Sequence, residues 1–523
     1  MRHVDKRIGL ALVAVLLLGL EGSLWAQSKK SDTIGPERAL PADTTITSTH
    51  SVTIRGKNIP YETTVGTLPV YGEDGKTIAS LFYTYYRRSD VKNTENRPLL
   101  ISFNGGPGAA SLWMHIGFTS PKRLKISEDG FPVQPYGIED NHSSVLDATD
   151  IVYVNPVNTG FSRMLNDGKR EDFFGVQEDL NYLSDWIGTF ISRYKRWKSP
   201  KFLIGESYGT TRVAGLAGRL QGAHNLYING VILHSQCGMG QPGTVTGMHT
   251  PVSNILKLPY YTSTAWYFKQ LDSSFQNQRL EDFIGEVEDF TINQYIPAIM
   301  KGGALSAAEK EELAGKIARY AGVSKAFVLE NNLSIPANAF WKELLRDQSL
   351  TTGRLDSRYT GLDSKNAGVG PEYSPEYDSW KHSFTPAINS YLRDDLGFDT
   401  DIEYKVAGDV RPWNNENGIT ADLLRRAMQQ NPALRVLNQA GYYDGACDAF
   451  GAKYALWQMD AGGKLQDRIE YKEYQSGHMI YIRNKTLVEA TDDLRDFILN
   501  AIPKEGAPIK YDVETMDLGQ YDQ

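Results

Sequence analysis

Residues 201–220 read KFLIGESYGTTRVAGLAGRL: an apolar run, then a serine between two glycines, then small residues at helical spacing. A strand-to-helix turn explains this pattern if the glycines relieve crowding and Ser207 caps the helix. A tighter turn explains it too, because Gly205 and Gly209 would let the Ser207 hydroxyl project from the top of a sheet as a nucleophile. The partners that a nucleophilic serine requires elsewhere in the chain distinguish the two interpretations.

A nucleophilic serine needs a histidine as general base and a carboxylate that orients the histidine. In the α/β-hydrolase arrangement the acid and then the histidine follow the serine, each on a loop after a strand. ALRVLNQAGYYDG places Asp444 after an apolar run, and IEYKEYQSGHM places His478 after another. Asp448 is the alternative acid, although it would equally cap a helix or face solvent. This order of residues favours the nucleophile at Ser207.

Short apolar runs rich in β-branched residues are typical of strands covered by helices on both faces. The chain has such runs in PLLISF, DIVYVN, KFLIGE, NGVILH and ALRVLNQAG. Residues 50–88 cluster β-formers between turn residues, which predicts an antiparallel start to the sheet. A crossover helix is predicted from apolar residues at helical spacing: Val176, Leu180, Leu183, Ile187, Phe190 and Tyr194. The predicted class is α/β, an α/β-hydrolase fold with a central mixed, mostly parallel sheet.

The strand pattern stops between residues 251 and 382, where SAAEKEELAGKIARYAG has the form of a capped helix. Ser306 and Glu309 are spaced as a capping box, and Gly322 is placed to end the helix. We interpret residues 251–382 as a helical insertion, a lid domain over the site, although an insertion that serves only stability or assembly fits the same pattern. The other predicted units are a core in two parts and a tail: residues 50–250, 383–505 and 506–523.

The N-terminus predicts export. Basic residues precede the apolar run IGLALVAVLLLGL, which is short for a transmembrane span, and LWAQ offers a cleavage site after Ala26. Residues 1–26 are therefore interpreted as a signal peptide, with an uncleaved anchor as the alternative. Residues 27–49 are polar and are expected to be poorly ordered. The mature protein would be periplasmic or extracellular, with no membrane span after signal removal.

Charge and cysteine content exclude some classes of protein. The formal net charge of −8, without long basic runs, argues against nucleic-acid binding and against an electrostatically held membrane surface. Two cysteines, Cys237 and Cys447, are too few for a disulfide scaffold. They suit a single bridge in an oxidising compartment, but Cys237 also fits a small core residue, and we favour the unpaired interpretation. No metal site and no cofactor are predicted.

The stretch LLISFNGGPGAAS, residues 99–111, places glycines directly after a predicted central strand. A tight loop chosen for its backbone angles alone has the same composition. The functional interpretation is that the loop approaches a ligand closely and supplies a backbone N–H. With the N–H of Tyr208, that donor would form an oxyanion hole, which stabilises negative charge developing on a carbonyl oxygen.

Four motifs, in this order, resemble those of the serine carboxypeptidase family: FNGGPGAAS, PVNTGFS, GESYG and SGHM. The resemblance extends from about Thr67 to Ile498. GESYGTTR and GRLDSRYTG, the latter at residues 353–361, look most like bacterial members of the family.

The resemblance assigns roles to individual residues. It implies a catalytic triad of Ser207, Asp444 and His478. It also implies that the amides of Gly106 and Tyr208 are the oxyanion donors. The residues that match the family's site for the terminal carboxylate of the substrate are Asn104, Gly105 and Glu206.

This sequence departs from the family pattern after GGPG. The family loop commonly continues with Cys-Ser-Ser, whereas here it continues with residues 109–111, Ala-Ala-Ser. A second glutamate common in the family is replaced near Phe118, which leaves the usual acidic network incomplete. Cys447 matches a cysteine seen near the triad acid in relatives, without an assigned role.

Glu206 is an unexpected neighbour for a nucleophile that meets a negatively charged chain end. Ionised, it would repel the terminal carboxylate, but protonated it shares its proton with that carboxylate in a strong hydrogen bond. Glu206 is therefore expected to recognise a free C-terminus when it is protonated. The alternative is that backbone donors hold Glu206 and that it only supports the turn.

The sequence predicts an exported serine-type carboxypeptidase that forms an acyl-enzyme on Ser207 and acts on peptides with a free C-terminus. An esterase or acyltransferase using the same triad is the alternative, because fold and triad do not fix the leaving group. A non-catalytic binding protein with a decayed site is disfavoured, because all three triad residue types are present. Oligomeric state and side-chain preference are not specified by the sequence.

Overall fold

The computed structural model describes residues 38–165, 167–240 and 251–511. The predicted signal peptide and most of the polar segment after it lie outside these ranges, as does the end of the predicted tail. From Ala39 onward the described chain forms one compact unit. Within the described ranges, no helix combines the length and the apolar character that a membrane crossing requires.

The strands in these ranges are β1 (Thr44–Ile54), β2 (Lys57–Tyr71), β3 (Thr77–Arg88), β4 (Leu99–Phe103), β5 (Lys122–Leu124), β6 (Ile138–Asp140), β7 (Asp150–Val154), β8 (Arg163–Met164), β9 (Lys201–Glu206), β10 (Gly230–His234), β11 (Thr351–Thr352), β12 (Thr360–Gly361), β13 (Arg435–Gly441) and β14 (Ile469–Tyr474).

The α-helices are α1 (Leu112–Met114), α2 (Val176–Arg193), α3 (Tyr208–His224), α4 (Pro251–Ile255), α5 (Leu258–Tyr267), α6 (Ser273–Gln276), α7 (Leu280–Phe290), α8 (Ile296–Met300), α9 (Ala307–Ala321), α10 (Lys325–Glu330), α11 (Ala337–Glu343), α12 (Pro375–Ser390), α13 (Ala421–Gln430), α14 (Ala449–Met459) and α15 (Asn484–Asn500).

One large sheet organises the chain, in the order β1-β2-β3-β7-β4-β9-β10-β13-β14, with β8 paired to β3. The pairs from β1 to β7 are antiparallel. From β7 to β14 every pair along that order is parallel. The antiparallel start and the mixed, mostly parallel sheet of the α/β-hydrolase fold are therefore as predicted. The carboxyl ends of the parallel strands meet at one edge, where ligands bind in such sheets.

Alternate residues of the central strands enter two different hydrophobic cores, as the two-residue period of a strand requires. Leu203 of β9 packs in the core that contains α2 and α3. Ile204, the next residue, packs in the core on the other face, which contains Phe497 of α15. Burial on both faces explains why these strands read as continuous apolar runs. Helix α2 carries the predicted apolar stripe, which lies in the first of these cores.

Strand β1 begins at Thr44, within the segment that we expected to be poorly ordered up to residue 49. Thr44 pairs with Thr67 of β2, and the pairing continues along the whole strand. Most side chains in the first half of β1 are exposed or half-buried, because β1 is the edge strand of the sheet. The exposed edge accounts for the polar composition that resembled disorder.

The helical insertion has its own hydrophobic core, which includes Ile255 at one end and Leu345 at the other. Helix α9 has the predicted capping box: Ser306 Oγ accepts from the amide of Glu309, and Gly322 ends the helix with φ 67°. The predicted boundary at residue 382 falls inside α12, whose Phe384 packs in the main core with Ile204. Helix α12 therefore packs with the main core, and the short strands β11 and β12 interrupt the helices before it.

Candidate active site

Ser207 occupies the turn between β9 and α3 with φ 61° and ψ −129°, a backbone conformation that residues other than glycine rarely adopt. A Cβ on Gly205 would overlap the carbonyl oxygen of Gly209. A Cβ on Gly209 would lie 3.0 Å from the carbonyl oxygen of Phe103. Gly205 therefore requires glycine, a side chain at Gly209 would be crowded, and the turn leaves the Ser207 side chain half-buried at the carboxyl edge of the sheet.

Asp444 and His478 are brought together by β13 and β14, two adjacent parallel strands. The ring nitrogen Nδ1 of His478 lies 2.7 Å from Oδ2 of Asp444, which is fully buried. The other carboxylate oxygen of Asp444 accepts hydrogen bonds from the amides of Ala446 and Cys447, each at 2.9 Å. These contacts fix the carboxylate and leave Nε2 of His478 to face a reacting group.

The alternative acid, Asp448, has different partners. Its Oδ1 accepts from the amide of Gly451 at 2.7 Å, which caps α14, and its Oδ2 pairs with Lys257 Nζ at 2.9 Å. The histidine of the GVILH run, His234, is fully buried beside Gln439. Burial lowers the pKa of His234 to about 3, so that its ring is neutral.

Within the described part of the chain, the Ser207 hydroxyl has Cys237 Sγ as its side-chain neighbour at 3.8 Å and is not hydrogen-bonded to His478. Cys237 is joined by a disulfide to Cys447. The Sγ of Cys447 lies within 4.8 Å of ligand atoms on His478 and Asp444. The serine and the histidine therefore flank the same disulfide. In unliganded sites catalytic hydrogen bonds are often long and shorten only with substrate.

The disulfide contradicts the unpaired cysteines that we favoured. Cys237 follows β10 and Cys447 follows β13, and these strands are parallel neighbours, so the residues after their carboxyl ends meet. Their Cα atoms are 4.8 Å apart, within the range that a disulfide requires. Cys447, Asp444 and His478 are also close enough to bind a metal ion together. The bridge leaves Cys447 without a thiolate, so this cluster does not form a metal-binding set.

The glycine-rich loop after β4 lies against the start of α3. A Cβ on Gly105 would come within 2.5 Å of the amide nitrogen of Tyr208. Among the described residues, the amides of Gly106 and Tyr208 donate to no partner, as expected of amides that serve a ligand. Arg212 holds this loop from below, since its guanidinium donates to the carbonyl oxygen of Asn104 at 2.6 Å.

Glu206 is buried beneath this loop, with 3% of its surface exposed. Its Oε1 accepts from Asn104 Nδ2 at 2.8 Å, and its Oε2 accepts from the hydroxyl of Tyr481 at 2.5 Å. Burial raises the pKa of Glu206 to about 7, against the opposing effects of the His478 charge and of these hydrogen bonds. Near neutral pH this carboxyl group is therefore in a position to carry a proton.

Tyr481 is a site residue that the sequence analysis missed. Its ring stacks on Phe118, 5.2 Å between centroids. The hydroxyl of Tyr481 supplies a hydrogen bond to Glu206. The signal was present in the sequence, because Tyr481 follows His478 by only three residues on the same loop.

Known proteins resemble this chain in sequence and in fold. Residues 57–233 match the family model described as serine carboxypeptidase. Serine carboxypeptidase-like 22 of Arabidopsis thaliana is 28% identical over 236 residues, which is 41% of this chain and 47% of that protein. Retinoid-inducible serine carboxypeptidase of Homo sapiens is 28% identical over 138 residues, 26% of this chain and 27% of that protein. The chain thus spans less than half the length of these relatives.

Among solved structures, KEX1(delta)p, a prohormone-processing carboxypeptidase from Saccharomyces cerevisiae, has a TM-score of 0.51 with 15% identity. The alignment covers 86% of this chain and 94% of that one. At this identity the likeness supports the fold alone. The family-model match and the sequence relatives go further: over residues 57–233 this chain is similar to the serine carboxypeptidase family.

Proposed function

We propose that this protein is an exported serine-type carboxypeptidase that hydrolyses the C-terminal peptide bond of peptides through an acyl-enzyme on Ser207. The observation that carries the proposal is the environment of Glu206, a buried carboxyl group next to the nucleophile whose pKa is raised by burial to about 7. Protonated, Glu206 donates a hydrogen bond to the terminal carboxylate of a peptide, and Asn104, which contacts Glu206, lies at the same subsite.

The proposed reaction begins when Oγ of Ser207 attacks the carbonyl carbon of the last peptide bond. His478 takes the hydroxyl proton at Nε2, because Nδ1 is hydrogen-bonded to Asp444. The amides of Gly106 and Tyr208 stabilise the negative carbonyl oxygen. His478 then gives its proton to the departing amine, and the C-terminal amino acid leaves. Water, activated by the same histidine, hydrolyses the ester on Ser207.

An esterase or acyltransferase would use the same serine, acid and histidine. Such an enzyme would have no need of a protonated carboxyl group that meets a free chain end. The raised pKa of Glu206 and its contact with Asn104 therefore favour the carboxypeptidase over this alternative.

The proposal is tested with a fluorophosphonate probe and a panel of N-blocked dipeptides that carry a free or an amidated C-terminus. We expect the probe to label the wild type but not Ser207→Ala. The control variant, Ser274→Ala, changes an exposed serine on α6 and should still be labelled. We expect peptides with a free C-terminus to be cleaved faster than their amides. Labelling that persists in Ser207→Ala, or a preference for amides and esters, would contradict the proposal.

Export is proposed from the N-terminal signal-peptide pattern, and the Cys237–Cys447 disulfide fits an oxidising compartment. The likeness of GRLDSRYTG to bacterial members of the family and the role of the helical insertion as a lid stay predictions.

A further inference from the structure

The segment Gly353–Arg358, between β11 and β12, touches both loops that carry the predicted acid and base. The carbonyl oxygen of Arg354 accepts from the amide of Gly445, next to Asp444, at 3.0 Å. The carbonyl oxygen of Leu355 accepts from the amide of His478 at 2.7 Å. Arg354 therefore stands beside the proposed site although the mechanism uses none of its atoms.

Buried acids hold this segment in place. Oε1 of Glu376 accepts from the amides of Arg354, at 3.1 Å, and Leu355, at 2.7 Å. Asp356 binds the guanidinium of Arg358 through both carboxylate oxygens, at 2.9 and 2.6 Å. The backbone of Arg354 is thus fixed by its neighbours.

The guanidinium of Arg354 lacks a protein partner. In the part of the chain that the structure describes, it makes neither a hydrogen bond nor an ion pair, and its side chain is half-buried. Other buried arginines have protein partners: Arg212 pairs with Asp179, Arg358 pairs with Asp356, and Arg468 donates to backbone carbonyl oxygens. A half-buried guanidinium without an anion is suited to bind one from a ligand, because it presents a planar fork of donors that matches a carboxylate.

The charge of Arg354 acts on the proposed site. Burial lowers the pKa of His478. Asp444 and Glu206 raise this pKa, and the net result lies above the ordinary value. The positive charge of Arg354 opposes the rise. The nearby acid Glu376 is a weak counter-ion, because burial raises its pKa to about 7.

The surroundings of Arg354 add a second cation. Burial raises the pKa of Tyr377, and the positive charge of Arg354 opposes this effect while Asp378 adds to it. The ammonium group of Lys381 lies 5.9 Å from the centre of the Tyr377 ring. That ring also contacts Trp113, 6.1 Å between centroids, which follows the glycine-rich loop directly. Two cations and one acid thus surround Tyr377, next to the loop that would hold the substrate.

We propose that Arg354 binds a carboxylate of the substrate beside the scissile bond, and that it makes the enzyme selective for peptides with an acidic residue at the C-terminal end. This inference rests on the proposed carboxypeptidase function. Glu206 and Asn104 already serve the terminal carboxylate in that function, which leaves the carboxylate of an aspartate or glutamate side chain for Arg354. The terminal carboxylate itself is the other source of the same chemistry.

The test compares kcat/KM for N-blocked dipeptides with Glu or Gln at the last position, and then at the position before it. Glu and Gln match in shape, so their ratio reports the charge. We expect the wild type to prefer Glu at one position by about tenfold to a hundredfold, the range for a charge-assisted hydrogen bond. Arg354→Gln should bring the ratio close to one, and Arg354→Lys should retain part of it. The control Arg219→Gln, an exposed arginine on α3, should keep the wild-type ratio.

Rates on the same substrates distinguish whether Arg354 binds the side-chain carboxylate or the terminal carboxylate. If Arg354→Gln slows Glu and Gln peptides equally, but not their C-terminal amides, Arg354 binds the terminal carboxylate, and the proposed selectivity for acidic residues is overturned. If Arg354→Gln keeps the wild-type ratios for every substrate, the proposal is overturned. Equal loss on peptides, amides and fluorophosphonate labelling would overturn it as well, since Arg354 would then only support the fold. Failure of the proposed function would differ, because the wild type itself would not cleave peptides with a free C-terminus.

Discussion

Glu206 and His478 are two ionisable groups whose charges act on each other. Burial is the largest cause of the rise in the pKa of Glu206 to about 7, and the charge of His478 opposes that rise. Burial lowers the pKa of His478, but Asp444 and the negative charge of Glu206 outweigh it. The two groups therefore titrate together, and a measured midpoint belongs to the pair.

This coupling predicts the pH profile on peptides with a free C-terminus. Activity should rise with pH as His478 loses its proton, and fall as the pH passes about 7, because Glu206 ionises. Glu206→Gln should abolish the fall, since an amide does not titrate. It should also shift the rise to lower pH, because the negative charge that raises the pKa of His478 is gone. The measurement is kcat/KM across the acid, neutral and mildly alkaline range.

Glu376→Gln is the matched control, because burial raises the pKa of Glu376 to about 7 as well. That variant should keep the fall at high pH, whatever its rate. A fall that survives in Glu206→Gln, or that disappears in Glu376→Gln, would remove Glu206 from carboxylate recognition.

At this scale the sequence predicted which residues meet, but not all of their partners. The glycines around Ser207 and the apolar runs before Asp444 and His478 predicted that these residues follow parallel strands, and the structure has them there, with His478 and Asp444 in contact. Tyr481 was missed although it follows His478 by only three residues, because its hydrogen bond to Glu206 is visible only in three dimensions. The free guanidinium of Arg354 was missed because pairing is a property of three-dimensional neighbours.

A buried ion pair ties two helices to the loop after β4. Arg212 of α3 pairs with Asp179 of α2 at 2.7 Å, and both side chains are almost fully buried. Arg212 also donates to the carbonyl oxygen of Asn104 at 2.6 Å. The element that presents the proposed oxyanion donors is thus held by one arginine.

Arg212→Leu should destabilise the protein strongly, because it leaves the carboxylate of Asp179 buried without a counter-ion. The expected loss in the free energy of unfolding is about 3–5 kcal/mol, measured by urea denaturation. The control is Arg425→Leu on α13, where the pair with Asp422 is exposed and the expected loss is less than about 1 kcal/mol. Similar losses in the two variants would mean that burial does not set the strength of the Arg212 pair.

Sequence periodicity predicted the elements better than their ends. The stripe of α2 and the capping box of α9 are local patterns, and both are present. The exposed edge strand β1 looked polar, and α12 was divided at residue 382 because its helical pattern does not reveal which core it joins. Such boundaries depend on tertiary packing, which a single sequence does not display.

The Cys237–Cys447 disulfide links distant parts of the whole chain, and composition alone did not predict that these two cysteines pair. It spans 210 residues of sequence and encloses the entire helical insertion, whereas in space it joins neighbouring strands. The adjacency of β10 and β13 becomes visible only in the sheet order. A cross-link of this kind stabilises mainly by restricting the unfolded chain, and the restriction grows with the length of the enclosed segment.

Cys237→Ala/Cys447→Ala should therefore lower the free energy of unfolding by about 2–5 kcal/mol relative to the oxidised wild type. Urea denaturation with and without a thiol reductant measures the effect. Reductant should destabilise the wild type and leave the double variant unchanged, so that reduced wild type and double variant nearly coincide. Any remaining difference between those two reports the packing of the sulfur atoms beside Ser207. If the wild type unfolds at the same urea concentration with and without reductant, the cysteines are not bridged and the enclosed insertion is held by packing alone.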